Sequence, residues 1–203
     1  INNEFSSLGL YLSAHPLDGY SNILLKMNIS RITDIHNEPK NYIKTNLKLC
    51  GLISKIQKRQ SSRGMWASLQ LNDLSGYLDI NIFSDVLLKY EEYLTEKNLI
   101  LIDAEIKNEN NQTSRITAKR IYLLNDYISD QNCNITLFTN TNKYLDKLIP
   151  LLGNLEVGFS DVLIKSSNKE RLVEIKIKEN IKLSSKFIKD LSKISGIDHI
   201  RFS

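Results

Sequence analysis

Apolar and polar positions alternate with a period of two through residues 47–83. Leu47, Leu49, Gly51 and Ile53 alternate with Lys48, Cys50, Leu52 and Ser54. Ala67, Leu69 and Leu71 alternate with Trp66, Ser68 and Gln70, and Leu78, Ile80 and Ile82 with Tyr77, Asp79 and Asn81. This alternation predicts consecutive strands, each with one buried face. Gln60-Ser61-Ser62-Arg63-Gly64 and Asn72-Asp73-Leu74-Ser75-Gly76 separate them. Each break ends in Gly, which supplies the positive φ of a tight connection. Gly51, in mid-strand, marks a bulge or kink that lets the first strand curl.

The pattern continues after Phe83. Asp85–Leu94 reads as a short helix with Val86, Leu87 and Tyr90 on one face, and Asp85 in N-cap position. Leu99–Ile106 is a strongly apolar fourth strand, Lys107–Thr113 a polar loop, and Arg115–Leu124 a fifth strand. Five strands with a helix between the third and fourth predict an OB barrel, a fold that binds oligonucleotides on its strand 2–3 face.

Two regions flank the barrel. Phe5, Leu8 and Leu12 lie at helical spacing, and Pro16 ends that helix because it disfavours helical φ/ψ at His15. Tyr20, Ile23, Leu24 and Met27 predict a second short helix, and Ile29–Tyr42 a connector. Asp126–Cys133 is a polar, acidic linker. Beyond it the order is strand (135–138), helix (142–152), strands (157–164 and 172–177), helix (184–194) and strand (197–202). The fold class is therefore mixed β and α+β. A helical leader and connector (1–43) precede the OB barrel (44–125), and a linker (126–133) leads to a small split-βαβ, ferredoxin-like domain (134–203).

Composition narrows the function. The chain has 203 residues, enough for two small domains with their own cores, and starts at Ile1 rather than Met, as expected of a fragment. No apolar run reaches the length of a membrane span and no signal peptide opens the chain. Cys50 and Cys133 are the only cysteines, which suits a reducing cytoplasm. Net charge is +4, and no Asp or Glu occurs from Pro39 to Asn72. That window holds Lys40, Lys44, Lys48, Lys55, Lys58, Arg59 and Arg63, a one-sign run suited to phosphate contact or to a plainly solvated hairpin.

Catalytic chemistry finds no foothold. His15, His36 and His199 sit in separate segments without metal spacing. Asp73, Asp79 and Asp85 could be grouped as a metal triad, but Asp73 sits where a turn uses Asx chemistry and Asp85 where a helix wants a cap. No phosphate loop, dinucleotide fingerprint or nucleophile elbow occurs, so no catalytic residue, metal or cofactor is assigned. Nucleic-acid chemistry fits better. Opposite the apolar face stand Trp66, Ser68, Gln70, Tyr77, Asp79 and Asn81. Lys55, Lys58, Arg59 and Arg63 flank them from the first hairpin, Arg115 and Lys119 from the fifth strand. Rings stack bases and cations hold phosphates in single-strand binders. Trp66 has two placements open, outward to a base or packed under flanking helices. Phe83, at a strand end, is expected to pack inward.

These residues, in this order, resemble the C-terminal region of the alpha subunit of bacterial DNA polymerase III, a C-family polymerase. Glu4, Leu8-Gly9-Leu10-Tyr11-Leu12-Ser13-Ala14-His15-Pro16-Leu17 and Tyr20 match the family's leader, with Ala14 where relatives carry Gly. Gly51, Arg63-Gly64, Leu71-Asn72-Asp73-Leu74-Ser75-Gly76, Asp79 and Phe83 match its barrel signature. Relatives often carry an acid at Asn72 and Glu at Asp79. Phe187–Phe202 resembles its closing helix and strand. The resemblance spans essentially the whole chain. It implies a non-catalytic region of a DNA-directed DNA polymerase whose metal-binding carboxylates lie far upstream. The barrel would hold single-stranded DNA, and the last domain would dock the tau-type subunit of the clamp loader. The sliding clamp would be bound through the parent chain upstream. The alternatives are an anticodon-type tRNA-binding OB module and a protein-interaction scaffold that touches no nucleic acid. Lys176, Lys178, Lys182, Lys186, Lys189 and Lys193 would offer an acidic partner a basic surface in the last domain.

Overall fold

The computed structural model describes residues 15–43, 46–109, 113–168 and 171–203. The helix expected within residues 2–13, the leader motif through Ala14, Lys44, and residues 110–112 and 169–170 of the two expected turns lie outside the described residues. Two compact units account for the rest. The first comprises the described residues within 15–18 and 28–124, the second those within 19–27 and 125–203.

In the first unit, strands β1 (Leu47–Ser61), β2 (Gly64–Asn72), β3 (Tyr77–Ile82), β4 (Leu99–Glu109) and β5 (Thr113–Leu123) form a closed barrel in the order β1-β2-β3-β5-β4. The pairing of β3 with β5 is parallel and the others are antiparallel. With a helix between β3 and β4, this is the OB architecture. Its interior holds the alternate residues Leu47, Leu49, Ile53, Leu69, Leu71, Ile80, Ile82, Ile100 and Ile102, all essentially solvent-free.

Gly51 is needed for packing. A Cβ there would lie 2.7 Å from the Asn72 carbonyl oxygen and 2.6 Å from Leu71 Cγ. The bulge in β1 sits further on, at Ser54, between the pairs Ile53–Leu71 and Lys55–Gln70. The β1–β2 turn is only Ser62-Arg63, closed by Gly64 at φ +113°.

The connector predicted over Ile29–Tyr42 contains a helix, α2 (Ile32–Asn37), and a 3-10 turn (Pro39–Tyr42). Its N-cap residue, Arg31, makes no side-chain cap. The cap comes from the β2–β3 turn. Ile32 N–H donates to Asp73 Oδ2 at 3.0 Å and Thr33 N–H to Ser75 Oγ at 3.0 Å. The other oxygen of Asp73 accepts from Ser75 N–H at 2.6 Å and Gly76 N–H at 2.9 Å. One carboxylate thus builds a turn and starts a helix. The helix after β3, α3 (Ser84–Tyr90), begins one residue earlier than expected, so Asp85 lies in its first turn instead of capping it. A 3-10 turn, Glu91–Tyr93, follows.

The second unit contains the short helix α1 (Ser21–Lys26), read from the sequence as part of the leader. Tyr20 and Ile23 are buried, and the Tyr20 hydroxyl donates to Asn125 Oδ1 at 3.1 Å. The stretch read as a linker carries helix α4 (Leu124–Ser129), whose Ser129 hydroxyl donates to the Leu183 carbonyl at 2.7 Å. Beyond it come β6 (Ile135–Thr139), α5 (Leu145–Gly153), β7 (Val157–Asn168), β8 (Arg171–Ile181), α6 (Ser185–Ser192) and β9 (His199–Phe202).

The chain order is the expected one, but the spatial order is β8-β7-β6-β9. β6 pairs directly with β7 in parallel, so no strand splits the βαβ unit as a ferredoxin-like fold requires. Burial gives the reason. On β8, Val173, Glu174, Ile175 and Lys176 are all exposed, a composition an edge strand tolerates and a central one does not.

Gly51→Ala should destabilise the barrel by about 2 kcal/mol, since the added methyl meets backbone. Asp73→Ala should cost about 2 kcal/mol through the lost acceptor. Urea unfolding of each variant against the parent checks both. A midpoint unchanged by either substitution would refute the corresponding role.

Candidate nucleic-acid interface

Strand register decides which side chains share a surface. Cross-strand partners point to the same side of a sheet. Gln70 pairs with Asp79 and Ser68 with Asn81 between β2 and β3. Asn81 pairs with Thr117 on β5, and Thr117 with Glu105 on β4. Ser68, Asn81, Thr117 and Glu105 therefore form one row across the outside of four strands. The Asn81 side-chain amide reaches the Ile116 carbonyl at 3.4 Å, and Thr117 is buried in this row.

The aromatic residues sit at the two ends of the β2–β3 face. Tyr77, opposite Asn72, is 62% exposed. Trp66 lies at the other end, six residues along β2 from Asn72, or about 20 Å of strand. Its ring is half-buried, and the Arg59 guanidinium stacks over it at 5.6 Å. An open groove of about 460 Å³ lies here. Trp66, Met65, Phe83 and Asn81 line it, with Arg63 and Arg115 also on its walls. Phe83 is 45% exposed, a correction to the inward packing expected of it. It continues the outward phase of Tyr77, Asp79 and Asn81, and that phase was the signal for its placement.

The hairpin cations separate into two sets. Lys55 pairs with Gln70 and Arg59 with Trp66, so both share the aromatic face. Lys58 pairs with Ala67, on the opposite side of the ribbon, and forms an ion pair with Glu91. Arg63 is in the turn, exposed. Asn81 and Arg115 are brought to the groove with Trp66, whereas Tyr77 stands apart at the far end. Lys119 reaches Glu105 at 2.8 Å, as does Lys107, an exposed cation that alternation alone did not single out because it was read as loop. The two ammonium groups, Lys107 foremost, hold the Glu105 carboxyl below the usual carboxylate range.

Several other titratable groups serve the fold. His15 Nε2 lies 3.2 Å from Asn72 Oδ1, and burial lowers its pKa. The Cys50 thiol is pushed upward by burial, as is that of Cys133, which lies 3.6 Å from Lys26 Nζ. In the second unit, Lys176 pairs with Asp161 at 2.9 Å, Lys182 with Glu156 at 3.4 Å and Lys193 with Asp190 at 3.5 Å. Lys189 lies over the Tyr20 ring at 5.1 Å. Much of the basic row expected to attract an acidic partner is thus already satisfied within its own unit. No helix among the described residues is long and apolar enough to cross a membrane.

No family model matches the chain. Among curated proteins it is similar to the DNA polymerase III subunit alpha of Rickettsia felis, 32% identical over 152 residues, which is 74% of this chain and 12% of that protein. The same subunit of Rickettsia prowazekii is 31% identical over 152 residues. That of Halalkalibacterium halodurans is 21% identical over 202 residues, 97% of this chain. The chain spans about an eighth of the length of the Rickettsia relatives it matches, 12–13%. Among solved structures it is similar to a mitochondrial single-stranded DNA binding protein from S. cerevisiae, with 18% identity and a TM-score of 0.34, covering 39% of this chain and 93% of that one. The second OB-fold domain of replication protein A from Methanococcus maripaludis has 12% identity and a TM-score of 0.31, covering 40% of this chain and 86% of that one.

Trp66 is the sole tryptophan, so its fluorescence reports this face directly. Arg59→Ala should uncover the indole, red-shifting its emission and raising its quenching by acrylamide. Emission and quenching identical to the parent would show that Arg59 does not cover the ring.

Proposed function

Because the chain belongs to the DNA polymerase III alpha-subunit family, we propose that its barrel binds single-stranded DNA for a replicative polymerase. The observation that carries this reading is the groove at Trp66 and Phe83, with Arg63 and Arg115 on its walls and Lys55 and Arg59 on the adjoining face. Rings offer stacking surfaces worth about 1–3 kcal/mol per base, and cations neutralise phosphates. Tyr77, at the far end of β3, receives a separate nucleotide of the same strand. In this reading the barrel binds the strand and leaves bond chemistry to the rest of the polymerase. Nucleotide addition belongs to the parent polymerase upstream of this region, which acts in the cytoplasm and holds the sliding clamp.

The second unit is the docking domain in this reading, and its partner is the tau-type subunit of the clamp loader. Its exposed apolar side chains support an interaction role, with Val157 87% and Phe159 69% exposed on β7. Capture of clamp-loader components by the chain should be lost on deletion of residues 134–203. Retained capture would sink this part of the proposal.

The DNA reading is tested by titrating a fluorescent oligo-dT with the chain at low and moderate salt. Saturable binding with quenching of Trp66 is expected. Four phosphate contacts, from Lys55, Arg59, Arg63 and Arg115, give a log–log salt slope of about −3. Lys55→Glu and Arg59→Glu should weaken binding and flatten the slope, whereas Lys58→Glu, on the far side of the ribbon, should change it least. An isotherm insensitive to Lys55→Glu and Arg59→Glu would remove the hairpin from the interface. Preferential competition by an RNA stem-loop would favour the tRNA-binding alternative, and absence of binding to either would favour a protein scaffold.

A further inference from the structure

The row Ser68–Asn81–Thr117–Glu105 ends on a carboxylate with two lysines set against it. Glu105 is recessed, with its side chain 26% exposed, and its Oε1 is 2.8 Å from both Lys107 Nζ and Lys119 Nζ. The two lysine side chains are 66% and 51% exposed, so they can turn from the carboxylate toward solvent or toward a ligand. Lys107 is also the cross-strand partner of Arg115, which lines the groove. A recessed anion is therefore held between two cations on the face read above as the DNA interface.

We propose that Glu105 competes with DNA phosphate for Lys107 and Lys119 and so limits the grip of the barrel on a single strand. The inference rests on the DNA-binding reading. It concerns how tightly that site holds its ligand. A phosphate that recruits either lysine must displace the carboxylate, and exposed ion pairs are weak enough to exchange. A lysine already neutralised by Glu105 also contributes less to counterion release than one facing solvent, so the salt dependence is flattened along with the affinity. Because the flanking ammonium groups keep the Glu105 carboxyl acidic, the competition persists at neutral pH. A strand held this way is released readily as it moves, which suits a surface that must pass template along.

The test uses the 203-residue chain with Glu105→Gln, and with Glu105→Gln, Lys107→Gln and Lys119→Gln combined. Oligo-dT is titrated at several salt concentrations, and circular dichroism melts confirm that each variant is folded. Glu105→Gln is expected to bind about three- to tenfold more tightly at low salt, with a slope steeper by about 1.4, or 0.7 for each lysine released. The combined variant should lose that gain. Wild-type affinity and slope in Glu105→Gln would overturn the inference while leaving the DNA reading intact. A gain of equal size in the combined variant would also overturn it, because the effect would then come from charge removal alone. If neither the parent nor any variant bound oligo-dT, both the inference and the reading beneath it would fall.

Discussion

Closure of the barrel through the parallel contact of β3 with β5 is the constraint on which the candidate interface depends. The registered pair is Asn81 with Thr117, and the Asn81 amide reaches the neighbouring Ile116 carbonyl. Period-two geometry then does the rest. With Ile80, Ile82, Ile116 and Ala118 buried inside, their alternate neighbours must face outward. Closure joins the outer face of β2–β3 to that of β4–β5, so that Trp66, Phe83, Asn81 and Arg115 border one groove although they come from different strands. An open sheet with the same side chains would present two separate surfaces.

Two local devices hold this geometry. Gly51 lets β1 lie against the Asn72 backbone, where a side chain has no room. Asp73 ties the β2–β3 turn to the start of α2 through hydrogen bonds from both segments. Of the three acidic residues grouped in the sequence, Asp73 accepts from backbone amides, Asp79 pairs with Gln70 on the outer face and Asp85 lies in the first turn of α3.

The strands and their order in the chain were legible because alternating burial leaves a strong period-two trace. The facing of the hairpin cations was harder to read. Ser54 is an extra residue in β1, and a one-residue slip flips every following side chain. Lys55 and Arg59 consequently share the face of Trp66, while Lys58 turns away. The sequence did carry a clue, since Ile56 is out of phase with Leu47, Leu49 and Ile53. Helix α2 was missed because its caps, Asp73 and Ser75, lie some 40 residues further along the chain, at separations of 41 and 42 residues. The unsplit βαβ order was missed for a different reason. Element order alone permits either arrangement, and only the two-sided exposure of β8 assigns it to the edge. The groove itself had a partial trace: Trp66 and the cations were in view, and the alternation through Tyr77, Asp79 and Asn81 already pointed Phe83 outward.

Barrel closure makes one continuous outer face, proposed above to receive single-stranded DNA. Amide and indole chemical-shift mapping during addition of oligo-dT tests it most directly. Shifts are expected to concentrate at the Trp66 indole, Ser68, Asn81, Phe83 and Arg115, with residues 134–203 and the Lys58 side of the hairpin essentially unmoved. Shifts centred on the opposite side of the barrel or on residues 134–203, or no shifts at saturating DNA, would contradict it.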